Sequence, residues 1–477
     1  MKALFALLYL LLFTAFVSGQ SRTPARPKQL ALIHVTVIDA TGAPAKQDRT
    51  VVITGDRITA LGKTGNVRIS KTAQILDATG KFIIPGLWDM HIHSVSYENG
   101  RRFLPLLMAH GITGVRDMGS PLEDILRLRQ ETNEGKILGP RMVIAGPLLQ
   151  GPLPFQTPFI MSVHDEAEAT RAVIYLKGRG VDFIKVHDAL PRELYFAIAS
   201  EARRQGIPFV GHVPPSISAT EAINAGQHSI EHLGGRFYGV LLACSSREAE
   251  LTERIRSIVK NVLKALNEKK EPDDSEIFRG GFTKPLFDSF SSQKAAVLFA
   301  AFKKNDTWQV PTLVAQPIRE AVNGGRKDLN EDDIRYGKLL VRKQFDMVAA
   351  MKRAGVKIMA GTDLPPDGLT LHEELSLLVE AGLTPMEALQ TATRNPAEFL
   401  GRLDSLGTVE RGKIADLVLL DANPLQDIRN TRRIHAVIFG GNVIPQSPLQ
   451  KGKDLIHLVC RRGHLMNSDV MPQPVWR

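Results

Sequence analysis

Only two cysteines occur in the 477 residues, Cys244 and Cys460. That excludes a disulfide-stapled scaffold and any Cys-rich zinc module. The two thiols, far apart in sequence, read equally well as a pair or as unpaired. Long apolar runs are absent too. The run over 3–17 falls short of the roughly 18–20 residues that span a bilayer, which excludes a polytopic membrane protein. No Gly-rich dinucleotide turn follows a first strand, as a doubly wound open sheet would need. The net charge of +10 comes without a Lys/Arg block or basic–aromatic interleaving. Basic residues instead alternate with acids, as in Glu253-Arg254-Ile255-Arg256, so the charge reads as a solvated surface and no nucleic-acid partner is expected.

What is present is ordinary for a globular chain: 43% hydrophobic and 23% charged residues, in a length that suits one large domain with a smaller companion or two to three ordinary ones. Lys2, the short apolar run and the small residues Ser18 and Gly19 make a secretory signal peptide over 1–19. The expectation is an exported protein, periplasmic or extracellular, whose mature chain starts near Gln20. No cysteine follows the run to accept a lipid, and no stable membrane anchor is expected.

Past a linker over 21–28, both ends of the chain alternate short apolar runs with Gly- and Asp-bearing turns. Segments 29–82 and 403–450 are expected to pack together as one small β-sandwich domain. Between them, over 83–402, apolar strands alternate with amphipathic helices. The strands fall at 86–93, 114–117, 142–146, 183–187, 209–213, 229–233, 309–314 and 356–362. Eight alternating units predict an α/β fold with a (β/α)8 TIM-type barrel. A charged helical insertion occupies about 245–305, and the tail over 451–477 carries no recognisable signal.

Ionisable residues gather at the C-terminal ends of these strands, where barrel enzymes carry their chemistry. The first ends in Asp89-Met90-His91-Ile92-His93. Residues two apart share a strand face, so His91 and His93 can share one ion, and Asp89 is placed to accept a hydrogen bond from a ligand histidine. Lys185 lies in an apolar fourth strand, where an ammonium is costly to bury. His212 ends the fifth strand, His232 the sixth and Asp363 the eighth.

These residues, with Phe82-Ile83-Ile84-Pro85-Gly86-Leu87-Trp88 before them, resemble the entry to the barrel in the amidohydrolase superfamily, specifically its imidazolonepropionase-like and prolidase-like branch. Gly111-Ile112-Thr113-Gly114-Val115-Arg116-Asp117 resembles its second strand. Asn395-Pro396-Ala397 and Gly407-Thr408-Val409-Glu410-Arg411-Gly412-Lys413-Ile414-Ala415-Asp416 resemble its exit into the sheet domain. The resemblance implies two divalent ions, with zinc favoured and manganese, cobalt or iron also fitting. It puts His91, His93 and Asp363 on one, His212 and His232 on the other, and Lys185 between them as N6-carboxylysine. It also implies a binuclear hydrolase acting on carbon–nitrogen bonds. The mechanism it implies is attack of a metal-bridging hydroxide on an amide or peptide carbonyl, with Asp363 as general base and then acid.

The substrate implied is a small molecule, a dipeptide or an N-acyl amino acid. Arg236 and Tyr238 are the candidates to anchor its carboxylate. Relatives often place a histidine after the third strand. None occurs here between His110 and His164, and Gln150 is the candidate substitute. His187 and His372 read as outer or surface residues. A lactonase, a phosphotriesterase or a cyclic-amide hydrolase would use the same centre, and an inactive binding scaffold is the alternative of another class. A homo-oligomer is allowed but not specified.

Overall fold

The computed structural model describes residues 28–95, 100–364 and 367–445. The segment 1–19 that reads as a signal peptide, Cys460 and the tail over 451–477 lie outside the described residues. Among those described, no helix is long and apolar enough to cross a membrane.

Seven barrel strands run in chain order: Leu87–Ile92, Ile112–Asp117, Arg141–Ile144, Ile184–Val186, Phe209–Gly211, Ser229–Glu231 and Trp308–Val310. All neighbouring pairs that form ladders among them are parallel. The segment expected as the eighth strand makes one parallel bridge, Gln309 to Ile358. Backbone bonds nevertheless close the ring through it. Met359 N donates to Gln309 O at 2.9 Å on one side, and Met90 N donates to Ala360 O at 2.9 Å on the other. The third and fourth strands are joined by Asp182 N to Ile144 O at 2.9 Å. The result is a closed (β/α)8 barrel.

Each strand is a short apolar run because helices cover its outer face, where Leu87, Ile92, Ile112, Val115, Ile184 and Ile230 enter the main core. The helices start where the sequence supplies acceptors. Ser218 and Glu221 form a capping box on Ala219–Ala225, as Asn330 and Asp333 do on Glu331–Ala354. Two further short strands, Leu148–Gln150 and Ile160–Ser162, extend the sheet beside the fourth strand. Helices Glu248–Asn267, Gly280–Asp288 and Ser292–Lys304 lie between the sixth and seventh strands.

The chain ends form one eight-stranded sheet in which Leu417–Leu420 pairs with Phe82–Pro85. It folds back on itself. Arg57 bridges Ile414, and Leu32, Val51, Ile53, Leu417 and Ile438 share one core between the two layers. Cys244 is buried as a free thiol.

Candidate metal centre

The first strand carries a register shift between Asp89 and Ile92, where it gains one residue on its neighbour. There the apolar interior, with Trp88 and Met90, gives way to His91 and His93. The irregularity also re-aims Asp89. Its carboxylate accepts the backbone N–H of His91 (3.1 Å) and both the N–H (3.1 Å) and hydroxyl (2.8 Å) of Thr362. It holds no histidine ring, contrary to the expectation from strand alternation. Burial pushes this carboxyl up to about 7 despite the three donors.

The ring of His91 is held instead by Glu231, which takes Nδ1 at 3.0 Å. Glu231 is itself fully buried and paired with Arg116, whose Nη2 lies 2.9 and 2.8 Å from its two oxygens. His93 Nδ1 bonds Gly119 O at 2.8 Å, and His232 Nδ1 meets Thr312 Oγ1 at 2.6 Å. A carbonyl or ionised carboxylate only accepts, so Nδ1 of His91 and of His93 carries the hydrogen and Nε2 presents a lone pair.

Those lone pairs point at one carboxylate. His91 Nε2 and His93 Nε2 lie 3.4 and 3.1 Å from Asp363 Oδ1, and His232 Nε2 lies 3.5 Å from Asp363 Oδ2. Acceptors facing acceptors at this range need a cation or a proton between them. The spacing matches the roughly 3.3 Å between ligand atoms around a tetrahedral ion with bonds of about 2.0 Å. Burial holds His91 well below the ordinary imidazole range and His232 down at about 3, so both are neutral and free to ligate. Burial also opposes protonation of His93, but Asp363 outweighs it and raises that ring. Asp363 is held low despite its burial by His232, His93 and Lys185. Both His232 and Asp363 adopt left-handed backbone, φ 54° and 53°. Such strain in non-glycine residues gathers at functional sites.

Lys185 is 1% exposed, and its Nζ has no hydrogen-bond partner among the described residues. Burial pushes it down to about 8, against the upward pull of Glu231 and Asp363. Gly211 makes room for it: a Cβ there would stand 2.1 Å from Val186 O and 3.1 Å from Lys185 Cδ. His212 is buried with its ring 4.9 Å from that of His232. The four candidate histidines and Asp363 thus share one mouth, with a buried, unbonded amine beside them. The unpartnered His91 Nε2 and Lys185 Nζ fit bound cations and an added carboxylate better than a cation-free interior.

The remaining expected residues are placed differently. Gln150 is buried, and its Oε1 takes His187 Nδ1 at 2.6 Å. His187 is half-buried, and its ring lies 4.4 Å from that of His212. His372 is fully buried away from the mouth, bonded to Thr431 Oγ1 (2.8 Å) and His110 O (3.1 Å). Arg236 pairs with Asp274 of the insertion through Nε at 2.7 Å, while its Nη1 is buried without a partner. Tyr238 is buried, with φ 58°, and stacks on Phe282.

Glu231 and Arg116 escaped the sequence reading, as did Thr312. Glu231 directly precedes His232, and neighbours in a regular strand face opposite ways. The left-handed turn at His232 breaks that rule and lets both reach His91. The available signal was two opposite charges, Arg116 and Glu231, inside apolar strands where neither survives burial alone.

Residues 82–444 match the Amidohydrolase family. Among curated relatives, an imidazolonepropionase of Shouchella clausii is 31% identical over 136 residues, 27% of this chain and 29% of that protein. An ochratoxinase of Aspergillus niger is 40% identical over 78 residues, 16% of each chain. These alignments span under a third of either relative's length. A solved Xaa-Pro dipeptidase superposes with a TM-score of 0.65 at 22% identity, covering 87% of this chain and all of that one, which speaks to the fold. The chain belongs to the amidohydrolase family of hydrolases, with imidazolonepropionases among its relatives and prolidases among its structural neighbours.

Proposed function

We propose that this protein is an exported metal-dependent amidohydrolase that cleaves an amide or peptide bond in a dipeptide or N-acyl amino acid. The observation that carries it is the meeting of three imidazole Nε2 atoms on the Asp363 carboxylate at 3.1–3.5 Å, two of them with Nδ1 fixed as a donor. Two divalent cations, zinc being the favoured choice, supply Lewis acidity and a water of lowered pKa when bound.

The chain's residues do the rest. His91, His93, His212, His232 and Asp363 are the ligands, and Lys185 joins them as a carbamate. Its amine forms an N–C bond to CO2 and loses a proton, which turns an unbonded buried cation into an anion with two ligand oxygens. Asp363 takes a proton from water and returns it to the leaving amine. The Glu231–Arg116 pair fixes His91, as carboxylates behind ligand histidines do. The buried Nη1 of Arg236, with Tyr238 nearby, suits a substrate carboxylate. The dipeptidase neighbour and the ochratoxinase relative support an amide substrate. Export is supported by the charged start and short apolar run at the N-terminus.

The test is a panel of dipeptides and N-acyl amino acids, with a lactone and a phosphotriester as controls, run on chelated and on zinc- or cobalt-reloaded protein. Amide hydrolysis lost on chelation and regained on loading is the expected result. Hydrolysis confined to the lactone or phosphotriester overturns the substrate reading, and equal activity in the chelated protein overturns the metal reading.

A further inference from the structure

The loop after the seventh strand takes a shape that its own residues do not favour. Past Trp308–Val310 the chain crosses Pro311 and turns at Thr312, whose backbone is left-handed (φ 44°, ψ 53°), before the short turn Leu313–Ala315. A β-branched residue resists that conformation, and such strain persists only where the surroundings hold it. Thr312 is fully buried, and its Oγ1 meets His232 Nδ1 at 2.6 Å. The strained residue is the one that touches the histidine ring.

What holds the turn comes from another element. Glu374, on helix Leu369–Glu380, is fully buried. Its Oε1 accepts the Leu313 N–H at 3.0 Å and its Oε2 the Val314 N–H at 2.8 Å. The first bond fixes the peptide unit that follows Thr312, and with it the ψ of that residue. On the preceding side, Gln316 Nε2 donates to Pro311 O at 2.5 Å, and Gln344 Nε2 donates to Gln316 Oε1 at 2.8 Å. The turn is pinned both before and after Thr312. A buried carboxyl group is a costly way to satisfy two backbone donors, so its placement here calls for a reason beyond the helix itself. The adjacent Glu373 shows the ordinary alternative, being partly exposed with Arg319 Nη2 at 3.4 Å.

We propose, on the reading of the mouth as a metal centre, that Glu374 is a positioning residue of that centre. It clamps the strand-seven loop so that Thr312 keeps its left-handed turn and presents its hydroxyl to His232. A hydroxyl on Nδ1 fixes the plane of the ring and keeps Nε2 turned toward Asp363, 3.5 Å away. The clamp also ties together two sides of the mouth. The helix that carries Glu374 follows Asp363 in the chain, while the loop it grips leaves the strand beside His232. Glu374 acts at one remove: it bonds the loop, and Thr312 of the loop bonds the ring.

The experiment is a double-mutant cycle on full-length protein, chelated and then titrated with Co2+, with bound metal measured by mass spectrometry after gel filtration. Wild type binds two equivalents. Thr312→Val and Glu374→Met each weaken one of them by about 10–100-fold. The double variant stays within about twofold of the larger single effect, because both changes cut the same chain of contacts. Thr312→Ser, which keeps the hydroxyl, and Glu373→Gln both bind within about twofold of wild type. A metal-free readout accompanies the counting: in chelated protein, amide exchange over 311–316 speeds up by about tenfold in Glu374→Met and stays unchanged in Glu373→Gln. If Glu374→Met does not fold, Glu374→Gln, which keeps one acceptor, takes its place in the cycle. Effects that multiply in the double variant, or unchanged exchange in the Glu374 variant, overturn the proposal. So do two equivalents at wild-type affinity in both single variants, and then the metal reading stands. A wild type that binds no metal overturns the metal reading and the positioning role with it.

Discussion

Two sets of histidines are buried in the same barrel and held in opposite ways. His372, on the helix Leu369–Glu380, has a protein partner on each ring nitrogen, Thr431 Oγ1 and His110 O. His91 is equally buried, but only its Nδ1 is bonded, to Glu231, and its Nε2 faces the Asp363 carboxylate. Depth does not distinguish them; the second nitrogen does. A ring satisfied on both sides ties helix to loop. A ring satisfied on one side, with its lone pair turned toward a carboxylate, is arranged for a cation.

The largest effect expected at the mouth is that of Asp363→Asn. It removes a ligand and the proton acceptor together, so kcat falls by about 10^3–10^4-fold and bound metal drops. A variant with kcat within tenfold of wild type breaks the contrast. Glu231→Ala comes next, because it frees His91 Nδ1 and leaves Arg116 buried without its counter-charge. A loss of about 3–5 kcal/mol is expected in denaturant melts, together with weaker metal binding. His372→Phe cuts the contacts at the other pole. Stability should fall by about 1–3 kcal/mol while metal content stays at the wild-type level; loss of metal there would erase the distinction.

The smallest effect concerns pH. Glu374 accepts Leu313 N and Val314 N at 3.0 and 2.8 Å, yet burial pushes it up to about 8 from an ordinary 4.5. Between those values the folded chain holds a proton that the unfolded chain has released, so this group makes stability fall as pH rises through the interval. In chelated protein, Glu374→Gln should flatten the decline in Tm between pH 5 and 8. Parallel curves would assign the decline to other groups.

Much of this was legible in the sequence for a physical reason. A barrel strand is an apolar run because both its faces are covered, so an ionisable residue at its end stands out, as Lys185 and His212 do. The parallel ring and the pairing of the two chain ends followed from the same alternation. What stayed hidden depended on departures from regular geometry. The added residue in the first strand turned Asp89 onto the backbone, and the left-handed turn at His232 brought Glu231 inward. His187 and His372 looked alike in sequence, both near strand ends, and only the three-dimensional partners separate them. The strand Leu148–Gln150 was masked by the prolines and glycines that flank it, Pro147, Gly151 and Pro152.

The most direct test is anomalous scattering at the zinc edge from crystals of the metal-loaded protein. A peak within bonding distance of His91 Nε2, His93 Nε2 and Asp363 is the predicted result. A mouth without any anomalous peak, in crystals whose protein retains zinc elsewhere, would contradict the account.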